Sequence, residues 1–173
     1  MNIYLEKTIL GSNMGMLNHT MDNKREIMIS IFSNSYDTIR IYENPVKNEN
    51  LYSNRLLINI WNFLSNGRKL KILLTNDFIC NNDDLSFGIN ALIQAQSSFP
   101  NLQVKSADDK FDYNLSNLIP NICDFQIGDN RFLRVGIDQS ENKAYYNPSA
   151  TIRETEPLIN IFDSNFEHAP LIN

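Results

Sequence analysis

The sequence is short of the residues on which most recognisable chemistry depends. Its 173 residues include two cysteines, Cys80 and Cys123, and two histidines, His19 and His168. No C-x-x-C pair occurs, and two thiols with two imidazoles do not build a zinc framework. Each cysteine ends an apolar run, which reads as a buried, reduced thiol. The six glycines form no G-x-x-x-x-G-K-[ST], G-x-G-x-x-G or G-x-S-x-G pattern, so no phosphate cradle or nucleophile elbow is legible. No apolar run approaches the roughly 18 residues needed to span a bilayer. The opening MNIYLEKTIL carries Glu6 early and lacks a basic stretch followed by an apolar core, so it does not read as a secretory signal. These absences set the expectation of a cytoplasmic chain with no membrane partner, no metal and no cofactor.

What is present is an ordinary globular composition, 42% hydrophobic and 20% charged, which excludes a disordered or collagen-like chain. The length suits one domain with a real core. The net charge of −5 disfavours bulk nucleic-acid binding, which wants a basic field.

Residues 1–19 read as an N-terminal arm or edge strand, with the flexible joint GSNMGMLNHT, and residues 20–173 as a single α/β domain. Thr20 or Asp22 can cap a helix whose stripe is Ile27, Met28, Ile31, Phe32 and Ser35. Residues 38–42, TIRIY, are short, β-branched and alternating, as a strand requires. Residues 50–65 carry Leu57, Ile60, Trp61 and Leu64 at helical spacing, closed by Asn66-Gly67. KLKILLT, 69–75, reads as a central strand covered on both faces. Asp83 or Asp84 caps a third helix bearing Leu85, Ile89 and Leu92, and NLQVKSA follows as a strand. Short connections and right-handed crossovers make these three strands parallel neighbours. Residues 108–121 read as a polar loop. After it come the hairpin ICDFQI and RFLRVGID, turning at Gly128-Asp129-Asn130, then KAYYN. A closing helix is expected to start near Thr155, with Pro157 in its first turn and Leu158, Phe162 and Phe166 buried. Leu74, Trp61, Leu92 and Phe162 are expected to pack together around the central strand. The fold class is therefore a three-layer mixed β-sheet flanked by helices.

The hairpin supplies the candidate binding residues: Asp129, Arg131, Arg134, Asp138, Tyr145 and Asn147. Arg134 shares a face with Phe132 and needs a partner, for which Asp138, also on that face, is a candidate. This group is either a structural salt bridge or an anion or partner contact at the strand ends. Tyr145 and Tyr146 suit an interface or a core equally. His168 reads as a favourable cation at a helix C-terminus rather than a catalyst. The pair Asp83-Asp84 with Asp77 suggests a metal, but helix capping explains Asp83 and Asp84, and Asp108-Asp109 has no matching His or third carboxylate at ligand spacing.

The order of these elements, closing on FDSNFEHA, resembles one half of a phospholipase D-like domain across roughly residues 22–169. In that family an H-x-K-x4-D motif supplies a nucleophilic His and a phosphate-holding Lys, and two copies share one site. Matching Asp129 to the motif Asp puts Ile122 at the His position and Asp124 at the Lys position. Shifting the match puts Asp124 and Gln126 there instead. Of a later G-x-x-N-like segment only Asn147 matches, with Ala144 where a Gly would stand. The resemblance thus implies a phospholipase D-like half-domain with a degenerate site and no catalytic residues. It implies a non-catalytic binding or interaction module, of the kind associated with bacterial defence or toxin–immunity systems. The partner would be a protein or a second copy meeting the 124–147 hairpin. The alternative is a nucleic-acid-binding protein or nuclease-type phosphodiesterase completed by a partner chain.

Overall fold

A computed structural model describes residues 15–18, 20–43, 51–75, 86–137 and 143–172. Its centre is a seven-stranded mixed sheet. The strands are β1 (Gly15–Asn18), β2 (Thr38–Glu43), β3 (Lys69–Leu74), β4 (Leu102–Ser106), β5 (Ile122–Gly128), β6 (Phe132–Ile137) and β7 (Lys143–Asn147). Their spatial order is β1-β7-β6-β5-β2-β3-β4. As the alternating helix–strand pattern requires, β2, β3 and β4 are parallel neighbours. The hairpin β5–β6 joins them antiparallel through β2, and β7 and β1 extend the sheet antiparallel.

Among the described residues five helices flank the sheet: α1 (Met21–Asn34), α2 (Asn54–Ser65), α3 (Phe87–Ala95), α4 (Asp109–Leu118) and α5 (Ile152–His168). The Thr20 hydroxyl accepts from the Asn23 N–H and starts α1. The buried stripe of α1 is Lys24, Met28, Ile31 and Phe32. Ile27 is only half-buried, so the helix is rotated from the expected face.

Strand alternation divides the apolar residues between two cores. On one face Ile39, Ile41, Leu70, Ile72, Leu74 and Val104 meet α1, α2 and α3. On the other, Tyr42, Leu73, Phe125, Ile127, Leu133 and Val135 meet Phe111 and Leu115 of α4 and Leu158, Phe162 and Phe166 of α5. The expected single cluster is therefore corrected. Leu74 and Leu92 share the first core, and Phe162 lies across the sheet in the second. Trp61 is half-buried at the rim of the first, its ring stacked 5.8 Å from that of Phe99.

Four further expectations change. Residues 109–118 are a helix, not a loop: the Asp108 carboxylate caps it by accepting from the Phe111 N–H at 2.7 Å. The cap of α3 is Ser86, and Asp77, Cys80, Asp83, Asp84 and Leu85 lie outside the described residues. The last helix begins before Thr155. Thr151 is its cap, and the Glu154 carboxylate accepts from the Thr151 N–H at 2.6 Å to close a capping box. Pro157 consequently sits inside the helix and deletes one of its backbone bonds. Cys123 is a free thiol, but only half-buried at the start of β5. Among the described residues no helix is long and apolar enough to cross a membrane.

Candidate functional site

The residues brought together at the sheet's centre are charged. Alternation along β2 turns Ile39, Ile41 and finally Glu43 toward α1; along β5 the same face carries Asp124 and Gln126, and along β6 Phe132 and Arg134. Lys24, four residues ahead of Met28 on the buried stripe of α1, descends onto this row. Its ammonium donates to Glu43 Oε1 and Asp124 Oδ2, each at 2.9 Å. Arg134 Nη1 donates to Asp124 Oδ1 and, at 3.0 Å, to Gln126 Oε1. The Tyr52 hydroxyl donates to Glu43 Oε2 at 3.0 Å. Lys24, Glu43 and Arg134 are at most 1% exposed, and Asp124 only 2%.

Two cations thus face two carboxylates inside the protein, a balance that a buried cluster needs to survive desolvation. Burial drives the Glu43 carboxyl above the usual range; Lys24 opposes this shift and Asp124 adds to it. Burial also raises the Tyr52 phenol, and Glu43 beside it raises it further, so Tyr52 stays a donor. Gly136 pairs with Asp124 across the hairpin. A Cβ at Gly136 would stand 2.7 Å from Asp124 Oδ1, so the bare backbone there makes room for the carboxylate.

The cluster lies at the carboxyl edge of the sheet, where the parallel strands end. Open α/β sheets bind ligands outside this edge. Here the charged groups lie beneath α1, and among the described residues Lys24, Glu43, Asp124, Gln126 and Arg134 are all buried.

The opposite, amino edge is built differently. The β5–β6 turn places Asp129 and Asn130 in the left-handed region, with φ of 49° and 61°. The Asp129 carboxylate accepts from the backbone N–H groups of Tyr36, Asp37 and Thr38, which ties the start of β2 to the hairpin. Arg131 is exposed there, its guanidinium 5.9 Å from the centre of the Tyr36 ring. Asn147 belongs to this edge too: it donates to Glu154 Oε1 at 3.3 Å and accepts from the Ser149 N–H at 3.0 Å, bracing the entry to α5.

The six candidates therefore do not form one site. Asp129, Arg131 and Asn147 line the amino edge. Arg134 is buried in the ionic cluster, and its acid partner is Asp124; Asp138, the candidate partner, lies outside the described residues. Tyr145 is half-buried on β7, whose outer edge is paired by β1. Phe132 is 7% exposed and part of the first core. His168, exposed in the last turn of α5, lines a groove of about 340 Å³ with Asp108, Lys110 and Asn165, apart from the cluster. His19, Lys143 and Glu141 offer no described side chain. Among the described residues no group of three or more His, Cys, Asp or Glu could hold a metal.

Lys24, Glu43 and Tyr52 went unread in the sequence. Two signals were available: a lysine in register with Met28 and Ile31, and a glutamate continuing the Ile39–Ile41 alternation.

No protein-family model matches the sequence, and no curated protein matches it. Solved structures do. NucT from Helicobacter pylori superimposes with a TM-score of 0.60 at 11% identity, covering 92% of this chain and 98% of that one. Nuc from Salmonella typhimurium, a phospholipase D family member, gives 0.54 at 12% identity, covering 86% and 90%. The fold is phospholipase D-like. TrmBL2, an archaeal chromatin protein with a novel mode of DNA binding, gives 0.63 at 13% identity; the chain covers 92% of itself but 54% of TrmBL2, about half that protein's length. At these identities the likeness carries the fold and no residue role.

Asp129 sits in the hairpin turn, capping three N–H groups. Ile122 offers no nucleophile, and Asp124 is engaged by Lys24 and Arg134. Asn147, matched in the sequence to the later motif segment, is at the other edge from Asp124.

Proposed function

We propose that this chain is a non-catalytic phospholipase D-like binding module. The observation that carries the reading is the burial of Asp124. At the position where a phosphate-holding lysine is expected, a carboxylate is locked between Lys24 and Arg134. An anionic phosphodiester would be repelled by that carboxylate, and the cations that could attract it are already paired and desolvated. Ile122 beside it cannot form a covalent intermediate. The reading concerns binding alone. A role in bacterial defence or toxin–immunity rests on association, with no residue bearing on it.

The test is a hydrolysis assay of the purified chain with bis(p-nitrophenyl) phosphate and fluorescent single-stranded and duplex DNA, with and without EDTA. No turnover above buffer is expected. Turnover that follows the protein through purification, and disappears on replacing Asp124 or Arg134, overturns the reading.

A further inference from the structure

The amino edge carries an exposed aromatic group held between cations, and the ionic cluster explains none of it. Tyr36, in the connection from α1 to β2, is 67% exposed. The Arg68 guanidinium lies 5.3 Å from its ring centre and that of Arg131 5.9 Å. Arg68 approaches from the start of β3 and Arg131 from the β5–β6 turn, so the three follow one another along the edge. Lys69, exposed and next to Arg68 in the chain, borders a groove of about 370 Å³ lined also by Gly67, Lys71, Asn101 and Gln103.

Part of this arrangement is structural. Arg68 Nη1 donates to the Ser35 carbonyl at 2.7 Å and Arg131 Nη2 to the Asn34 carbonyl at 3.2 Å. Both thereby cap the C-terminus of α1, where cations are favoured. Each guanidinium, however, has five N–H donors. The ion pairs among the described residues engage Lys24, Arg25, Arg40, Arg55, Lys71 and Arg134, not Arg68, Lys69 or Arg131. The nearest acid of the turn, Asp129, is occupied by three N–H groups. Exposed Asp37 and the Asp129 carboxylate oppose an anion here, and three cations outnumber these two.

We propose that this strip is a docking surface for single-stranded nucleic acid. Bases would stack on the Tyr36–guanidinium layer, and phosphates would take the remaining N–H donors of Arg68, Arg131 and Lys69. Flat aromatic and guanidinium surfaces beside cations suit splayed bases, which a duplex does not offer. On a chain of net charge −5 such a strip attracts locally rather than over the whole surface. The proposal rests on the binding-module reading and names its ligand.

Fluorescence anisotropy of the full chain with a short fluorescein-labelled single-stranded DNA, and the matching RNA, tests it. Saturable binding is expected, weaker with the matching duplex. Tyr36→Ala should weaken it about fivefold or more, as loss of a stacking platform does. Arg68→Ala with Arg131→Ala should weaken it further. The double variant should also flatten the dependence of log K on log salt, from a slope near −2 toward about −0.7. Lys110→Ala, an exposed cation on α4, should leave affinity unchanged. If the arginine variant loses its fold by circular dichroism, Lys69→Glu with Tyr36→Ala takes its place. No saturable binding overturns the proposal, as does affinity indifferent to these residues or equal for duplex. Binding of phosphatidylglycerol vesicles without oligonucleotide binding overturns it too. Cleavage of the oligonucleotide overturns the non-catalytic reading and leaves the docking surface standing, so the two failures are distinguishable.

Discussion

The two ends of the same strands carry charge in opposite ways. At the carboxyl edge, Lys24 and Arg134 are fully buried and matched by Glu43 and Asp124. At the amino edge, Arg68 and Arg131 rest against the exposed Tyr36 ring and the buried rings of Phe63 and Phe132, and each donates to a carbonyl at the end of α1. Buried charge must be paired and fixed, so it specifies structure; exposed charge keeps donors available, so it can meet a ligand. The location of a charged group relative to α1, rather than its identity, separates the two roles. Arg131 and Arg134 stand three positions apart in one hairpin and fall on opposite sides of that division.

The sharpest way to break the comparison is to unpair the closed edge. Lys24→Met should cost about 3–5 kcal/mol in urea unfolding, because two buried carboxylates would share one cation. A loss below about 1 kcal/mol would show that the cluster is not held by pairing. Glu43 adds a pH signature. Its folded-state pKa is raised above an unfolded value near 4.3. Its contribution is therefore fully present below that value and is lost as pH rises through the folded pKa. Stability measured across this window should show that slope, and Glu43→Gln should abolish it.

Gly136→Ala comes next, at about 1–3 kcal/mol, since the new methyl group crowds the Asp124 carboxylate. Thermal unfolding with no change in Tm would mean the carboxylate yields freely.

A smaller effect belongs to a third, half-exposed arrangement on the α5 face. Asp163 accepts from Arg40 Nη2 at 2.7 Å and Lys71 Nζ at 3.0 Å. Burial pushes its carboxyl up, but these two cations outweigh that and hold it below the usual range. Its stabilisation is present above an unfolded value near 3.9 and is lost as pH falls through the lower, folded one. Because the pair is reached by solvent, Asp163→Asn should cost about 1 kcal/mol at neutral pH. The difference from wild type should shrink on acidification; a constant difference would assign the effect to packing.

The smallest effect on stability is expected at the open edge. Arg131→Ala should shift unfolding by less than about 1 kcal/mol, leaving the α1 carbonyl to water. A loss as large as that of Lys24→Met would make Arg131 part of the framework and erase the contrast between the edges.

Much of the fold was readable because periodicity reports burial directly. TIRIY, KLKILLT and the β5–β6 hairpin announce strands, and the stripe Leu158–Phe162–Phe166 announces the closing helix. Reading failed where polar residues hid a stripe. In DKFDYNLSNL only Phe111, Leu115 and Leu118 face the core, and the intervening Asp and Asn residues disguise an Asp108-capped helix as a loop. It failed again at Pro157, taken to mark the first turn, because the capping box of Thr151 and Glu154 sets the start earlier.

By itself the sequence determined that β2, β3 and β4 run parallel and that a hairpin turns at Gly128-Asp129-Asn130. These follow from local spacing and residue type. Which charges are spent and which remain was decided only in three dimensions. Asp124 pairs with a lysine 100 residues away, and Tyr36 meets arginines from two distant connections. No local pattern records such pairings, because the sheet order brings those segments together only after the helices have packed over it.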